Sequence, residues 1–265
     1  MPTIQINGMT FNAYDAGQGA PILFVHGFPL DHTMWQQQLE HFSKTHRVIA
    51  PDLRGFGQSD VTAGTVEMHK FADDLAAVLT ALDVDEPVCY CGLSMGGYIG
   101  WEFLRRHGER VGSLILCDTK AAADTPQAIE GRMKLAQAVI EGGSEAAVEA
   151  MMPKLLAEST LQRQPHLVEH IRRMIVNTDP ESIAAALRGM ANRRDSTDML
   201  DKIAVPTLLI VGQHDALTPP DEMRKVAERI RDARFVEVPE AGHMSPMENG
   251  AAVNNAIDGF LTKNG

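Results

Sequence analysis

Six short, largely continuous apolar runs, separated by stretches long enough to form helices, leave this chain few architectures to adopt. They occupy residues 22–25, 47–50, 88–91, 114–117, 207–211 and 235–238. A strand with one wet face alternates apolar and polar residues, whereas a continuous apolar run marks a strand covered on both sides. Short strands of this kind joined by helices predict a mostly parallel sheet with helices on both faces. The intervening segments supply the helices. Between residues 68 and 82, Phe71, Leu75, Val78, Leu79 and Leu82 recur at the helical repeat. Ahead of the first run, Ile4 and Ile6 alternate with polar residues, Asn7-Gly8 offers a two-residue turn, and residues 9–14 return. That pattern predicts a β-hairpin.

The rhythm breaks between about residues 121 and 198, where the pattern is helical throughout and no strand-like run occurs. Residues 1–120 and 198–265 are therefore expected to form the core. Residues 121–197 are expected to form a helical cap inserted over the C-terminal edge of the sheet, where open α/β sheets bind ligands. Met133, Met151, Met152, Met174 and Met190 fall in this stretch. Methionine is flexible and polarisable, which suits the lid of a variable apolar pocket as well as it suits ordinary core.

Gly92-Leu-Ser-Met-Gly96 follows directly on the run at 88–91 and opens a helical pattern that continues to about residue 107. A serine on so tight a strand-to-helix turn needs small neighbours, and its hydroxyl is lifted clear of the sheet at a helix N-terminus. Ser94 is thus the candidate nucleophile. A serine hydroxyl needs a base, and His243, in the loop after the last apolar run, is the best placed of the ten histidines. His26 is expected to brace its loop, and His214 to sit beside the acid. Asp215, directly after the run at 207–211, is the favoured acid to orient the imidazole, and Asp118, ending the run at 114–117, is its rival. The oxyanion donors are expected to be the backbone N–H groups of Met95, next to the nucleophile, and of Phe28, in the loop His26-Gly-Phe-Pro29. The Gly-rich stretch at 52–60 lacks a phosphate-loop pattern and reads as a tight structural loop.

Together, His26-Gly-Phe-Pro, Asp52-Leu-Arg-Gly-Phe-Gly-Gln-Ser, Gly92-Leu-Ser-Met-Gly-Gly, Val211-Gly-Gln-His-Asp and Ala241-Gly-His-Met resemble the α/β-hydrolase superfamily. The resemblance covers about residues 10–119 and 200–262. It implies an α/β-hydrolase fold with an eight-stranded type of sheet and a Ser94–His243–Asp215 triad. Within the superfamily the chain is similar to 3-oxoadipate enol-lactonases, small carboxylesterases and cofactor-free haloperoxidases with perhydrolase side activity. Relatives that displace halide or open epoxides carry Asp at the nucleophile position, so Ser94 implies an acyl-enzyme instead.

The reading is therefore a serine hydrolase cleaving small carboxylic esters, with short acyl chains favoured by a compact cap. Two alternatives stand beside it. One is an enol-lactone or carbon–carbon bond hydrolase, whose carboxylate-bearing substrate would need a cap arginine such as Arg132, Arg163, Arg172, Arg188 or Arg193 facing Ser94. The other is a ligand receptor with slow turnover. The expected partner is a small ester or lactone, and the oligomeric state is open. The net charge of −11 disfavours nucleic acid and anionic membranes. Three cysteines without Cys-x-x-Cys spacing read as buried free thiols in a reducing compartment rather than a metal site. No cofactor motif, secretory signal or membrane-length apolar run is present, which points to a cytoplasmic protein.

Overall fold

The computed structural model describes residues 2–264, the last by its backbone alone. In chain order the elements are β1 (Thr3–Ile6), β2 (Met9–Ala16), β3 (Pro21–Val25), α1 (Gln36–Phe42), β4 (Arg47–Pro51), α2 (Met68–Ala81), β5 (Val88–Leu93), α3 (Met95–Arg106) and β6 (Val111–Cys117). Five helices follow without an intervening strand: α4 (Pro126–Gly142), α5 (Glu145–Leu155), α6 (Glu158–Arg163), α7 (Pro165–Asn177) and α8 (Pro180–Ala191). The chain closes with β7 (Thr207–Gly212), α9 (Pro220–Arg229), β8 (Ala233–Val238), α10 (Ser245–Glu248) and α11 (Gly250–Asn264).

The strands form one eight-stranded sheet in the order β1-β2-β4-β3-β5-β6-β7-β8. The hairpin partner β2 runs antiparallel to β4, and from β4 to β8 every pairing is parallel. Asn7 and Gly8 turn the hairpin with positive φ of 51° and 79°, the geometry that matches strand twist. Every residue of β3, β5 and β7 is buried. Because successive side chains point to opposite faces, complete burial requires cover on both sides of the sheet. The expected strands are all present. β6 begins earlier than its apolar run because Val111 to Ser113 pair with β5 across a register shift at Val88/Cys89.

This topology decides where ligands can go. After β3 the chain moves outward to β4 and then returns to the other side of β3 with β5. Loops leaving β3 and β5 therefore diverge and open a crevice at the C-terminal ends of the strands. Cys89, Cys91 and Cys117 are buried and unbridged. Burial pushes the Cys89 thiol up to about 12. Among the described residues no helix is long and apolar enough to cross a membrane.

Candidate active site

Ser94 stands at the junction of β5 and α3, with φ 52° and ψ −111°. A non-glycine residue rarely occupies that region, and the surrounding structure must hold it there. The glycines around it explain how. A Cβ on Gly92 would lie 2.5 Å from the Gly96 carbonyl oxygen, and one on Gly96 would overlap the Val25 carbonyl oxygen. Only bare backbone lets the strand turn into the helix within two residues. The Ser94 carbonyl accepts from Thr119 Oγ1 at 2.7 Å, which anchors the turn to the end of β6.

His243 approaches from the loop after β8. Its Nε2 lies 2.8 Å from Ser94 Oγ, and its Nδ1 lies 2.8 Å from Asp215 Oδ2. The other oxygen of Asp215 accepts the backbone N–H groups of Leu217 and Thr218 at 2.8 and 2.9 Å. Burial opposes its charge, but the His243 ring and these donors hold its carboxyl below the ordinary range. Asp215 therefore presents an ionised oxygen to an imidazole whose far nitrogen faces a hydroxyl.

Asp118 does not reach His243. Its Oδ1 accepts the Gly212 N–H at 2.8 Å and its Oδ2 pairs with the Ser245 hydroxyl at 2.5 Å. Complete burial, reinforced by the negative charge of Asp215, pushes the Asp118 carboxyl well up. Nor does it cap the first helix of the insertion, since Thr125 accepts the Ala128 N–H there.

The loop expected to carry one oxyanion donor lies close to the serine. A Cβ on Gly27 would lie 3.5 Å from Ser94 Cβ, so the loop after β3 runs alongside the serine. His26 braces that loop, with Nδ1 2.9 Å from the Gly27 carbonyl and Nε2 accepting the Leu53 N–H at 3.0 Å. Burial lowers the pKa of His26, which favours the neutral ring that this acceptor role needs. His214, expected beside the acid, turns its side chain to solvent. Besides Ser94 and Asp215, the imidazole has a further polar neighbour in Thr218, whose Oγ1 lies 3.3 Å from His243 Nδ1. Its role was illegible in the sequence, because a hydroxyl near an acid has no spacing signature.

Ser94, Phe28, Thr218 and His243 open onto a cavity of about 430 Å³ whose other wall comes from the helices between β6 and β7. Leu135, Met151, Leu155, Leu187 and Met190 supply its apolar surface. Of the other methionines in the stretch, Met133 is exposed and Met174 is buried outside the cavity. The same wall carries Arg132 and Lys154, while Lys120, on the loop after β6, lines the cavity and pairs with Glu222 at 3.2 Å. Arg132 and Arg193 share one carboxylate, Asp124, at 2.5 and 2.7 Å. Lys154 has no ion-pair partner among the described residues. The wall facing Ser94 is thus apolar with an excess of positive charge, despite the acidic whole.

One group could offer three metal ligands: Asp31, His32 and Asp52, with atoms within 4.8 Å of one another. These atoms already brace loops. Asp52 Oδ1 takes the N–H of His32 at 3.0 Å and its Nδ1 at 2.7 Å, Oδ2 takes the Gln58 N–H at 3.0 Å, and Asp31 caps Thr33.

A family model described as the alpha/beta hydrolase fold matches residues 20–250. Among solved structures, a thermophilic esterase from Thermogutta terrifontis, with malate bound, is 44% identical at a TM-score of 0.96, covering 99% of this chain and 98% of that one. The enol-lactonase from Burkholderia xenovorans is 29% identical at a TM-score of 0.91, covering 98% and 100%. A 3-oxoadipate enol-lactonase from Acinetobacter baylyi is 27% identical, covering 98% of this chain and 94% of the relative.

Proposed function

Because the chain belongs to the α/β-hydrolase family, we propose that it is a serine hydrolase that cleaves small carboxylic esters through an acyl-enzyme. The observation that carries this reading is the continuous hydrogen-bonded line from Ser94 Oγ through His243 to Asp215. In the first half-reaction Ser94 Oγ attacks the acyl carbon while His243 Nε2 takes the hydroxyl proton. Asp215 stabilises the resulting imidazolium through Nδ1. The carbonyl oxygen, now negative, is met by the N–H groups of Met95 and Phe28. The imidazolium returns its proton to the leaving alkoxide and alcohol departs. Water then repeats the sequence on the acyl-enzyme, and the acid leaves.

The helices between β6 and β7 serve in this reading as the cap that shapes the substrate site. A cavity of about 430 Å³ accommodates a short acyl and alcohol pair. Hydrolysis of p-nitrophenyl acetate and butyrate by the purified protein tests the proposal. Ser94→Ala and His243→Ala are each expected to lose about 10⁶-fold in kcat, with the double variant little worse, because the groups act as one unit. Absence of turnover in the wild-type protein, with no labelling of Ser94 by a fluorophosphonate, would sink it.

Arg132 and Lys154 favour a second reading of the substrate, in which the ester or lactone carries a carboxylate remote from the scissile bond. The malate held by the esterase relative and the enol-lactonases among the similar proteins are consistent with it. Lys154→Met is expected to raise KM for a half-ester of a dicarboxylic acid about tenfold, the scale of one charge-assisted hydrogen bond. The KM for a neutral ester of equal length should stay within twofold. Equal effects on both substrates would remove the carboxylate from the account.

A further inference from the structure

Glu248 closes α10, five residues beyond His243, and is 8% exposed. Its carboxylate oxygens face two different parts of the chain. Oε1 accepts the backbone N–H groups of Gly242 and Met244 at 2.8 and 3.1 Å, the residues on either side of His243. Oε2 accepts the Ala157 N–H at 2.9 Å and the Thr160 hydroxyl at 2.6 Å, both from the junction of α5 and α6. The two segments touch there, since a Cβ on Gly242 would lie 2.5 Å from Ala157 N. Gln164, which precedes α7, adds a bond from its Nε2 to the Glu248 carbonyl at 3.3 Å.

No cation within ion-pair distance offsets this charge among the described residues. Burying a carboxylate on neutral donors alone is costly, and burial pushes the Glu248 carboxyl up. A glutamine of the same shape would avoid that cost but not do the same work. Its amide nitrogen cannot accept, so one of the two donor pairs would face an N–H₂ group. Only an ionised carboxylate accepts from both segments at once.

The position of the junction gives the contact a consequence. Leu155, at the end of α5, lines the cavity above Ser94, and Ala157 lies two residues further on. One side chain therefore ties the wall that a substrate presses against to the peptide groups that carry the imidazole. We propose that Glu248 is a positioning residue that couples the α5–α6 junction to His243, so that the seating of that wall sets the alignment of the imidazole. The inference rests on the reading of Ser94 and His243 as nucleophile and base.

Thr160→Val tests it from the far end, because Thr160 touches neither the cavity nor His243. The variant is expected to lose about five- to tenfold in kcat on p-nitrophenyl butyrate, with KM within twofold, since a small misplacement of a catalytic group costs rate rather than binding. A looser loop weakens the His243–Asp215 bond and stabilises the imidazolium less. The acid limb of kcat/KM, and the His243 titration followed by ¹⁵N NMR, should both move down by about half a unit. Thr160→Ser should restore both values, and Glu248→Gln should exceed the valine variant, at about 100-fold. A Thr160→Val protein with wild-type kcat, acid limb and His243 titration, and only a lower Tm, would overturn the proposal. Should the wild-type protein turn over no ester and resist the fluorophosphonate, the serine-hydrolase reading fails. The NMR titration still decides the coupling in that case.

Discussion

Two aspartates end neighbouring strands close to His243, and their surroundings separate their work. Asp215 gives one oxygen to the imidazole and the other to two backbone N–H groups. Its charge is thereby favoured despite burial. Asp118 is buried beside that charge and is pushed towards its neutral form, where an asparagine is nearly its equal. Asp215→Asn is therefore expected to lower kcat about 10⁴-fold, since the amide holds the imidazole in the wrong tautomer. Asp118→Asn should stay within tenfold, as read by ester turnover over a full pH profile. The reverse ranking would move the acid to the end of β6. Ser94, Asp215 and His243 were legible because each sits in a short motif tied to the end of an apolar run. Thr218 and Glu248 were not. Each acts through a hydrogen bond to a loop distant in sequence, and that juxtaposition exists only once the sheet has formed.

At the scale of elements, the loops leaving β3 and β4 are locked together by His32 and Asp52. Burial works against charge on both, but their hydrogen bond and mutual attraction prevail, raising the His32 pKa and lowering that of Asp52. The raised histidine contributes stability below its unfolded value of 6.5 and loses it as pH rises through the folded one. The lowered aspartate contributes above its unfolded value of 3.8 and loses it as pH falls through the folded one. The pair should therefore stabilise most between 3.8 and 6.5. The Tm difference between wild type and His32→Asn is expected to be widest in that window and to narrow above neutrality. A difference independent of pH would show that His32 acts only as a neutral donor. Six of the strands were readable from apolar continuity and the β1–β2 hairpin from alternation about a turn; the polar opening of β6 was not, because its residues belong to the sheet through backbone pairing. The helices of residues 126–191 were readable as a group. Their arrangement over the cavity was not, since Arg132 and Lys154 look in sequence like any solvated helical residues.

Across the whole molecule, one continuous cluster of buried side chains runs from the sheet into the inserted helices, through Val139, Val148, Ile171, Ile175 and Ile183. Helices and sheet share this one cluster, so they are expected to melt together. Both tryptophans, Trp35 and Trp101, lie outside the insertion. Their fluorescence should therefore follow the same thermal transition as the far-ultraviolet circular dichroism, whereas helical signal lost at lower temperature would reveal independent melting. The direction of the strands has a further consequence. From β4 to β8 all run the same way, so every loop discussed for the chemistry leaves from a single rim. The opposite rim, where Pro21, Val88 and Thr207 begin their strands, faces away from the reaction. The protein has a working end and a quiet end. Attached to a solid support or fused to another protein through the quiet end, it would keep its mouth open to solvent.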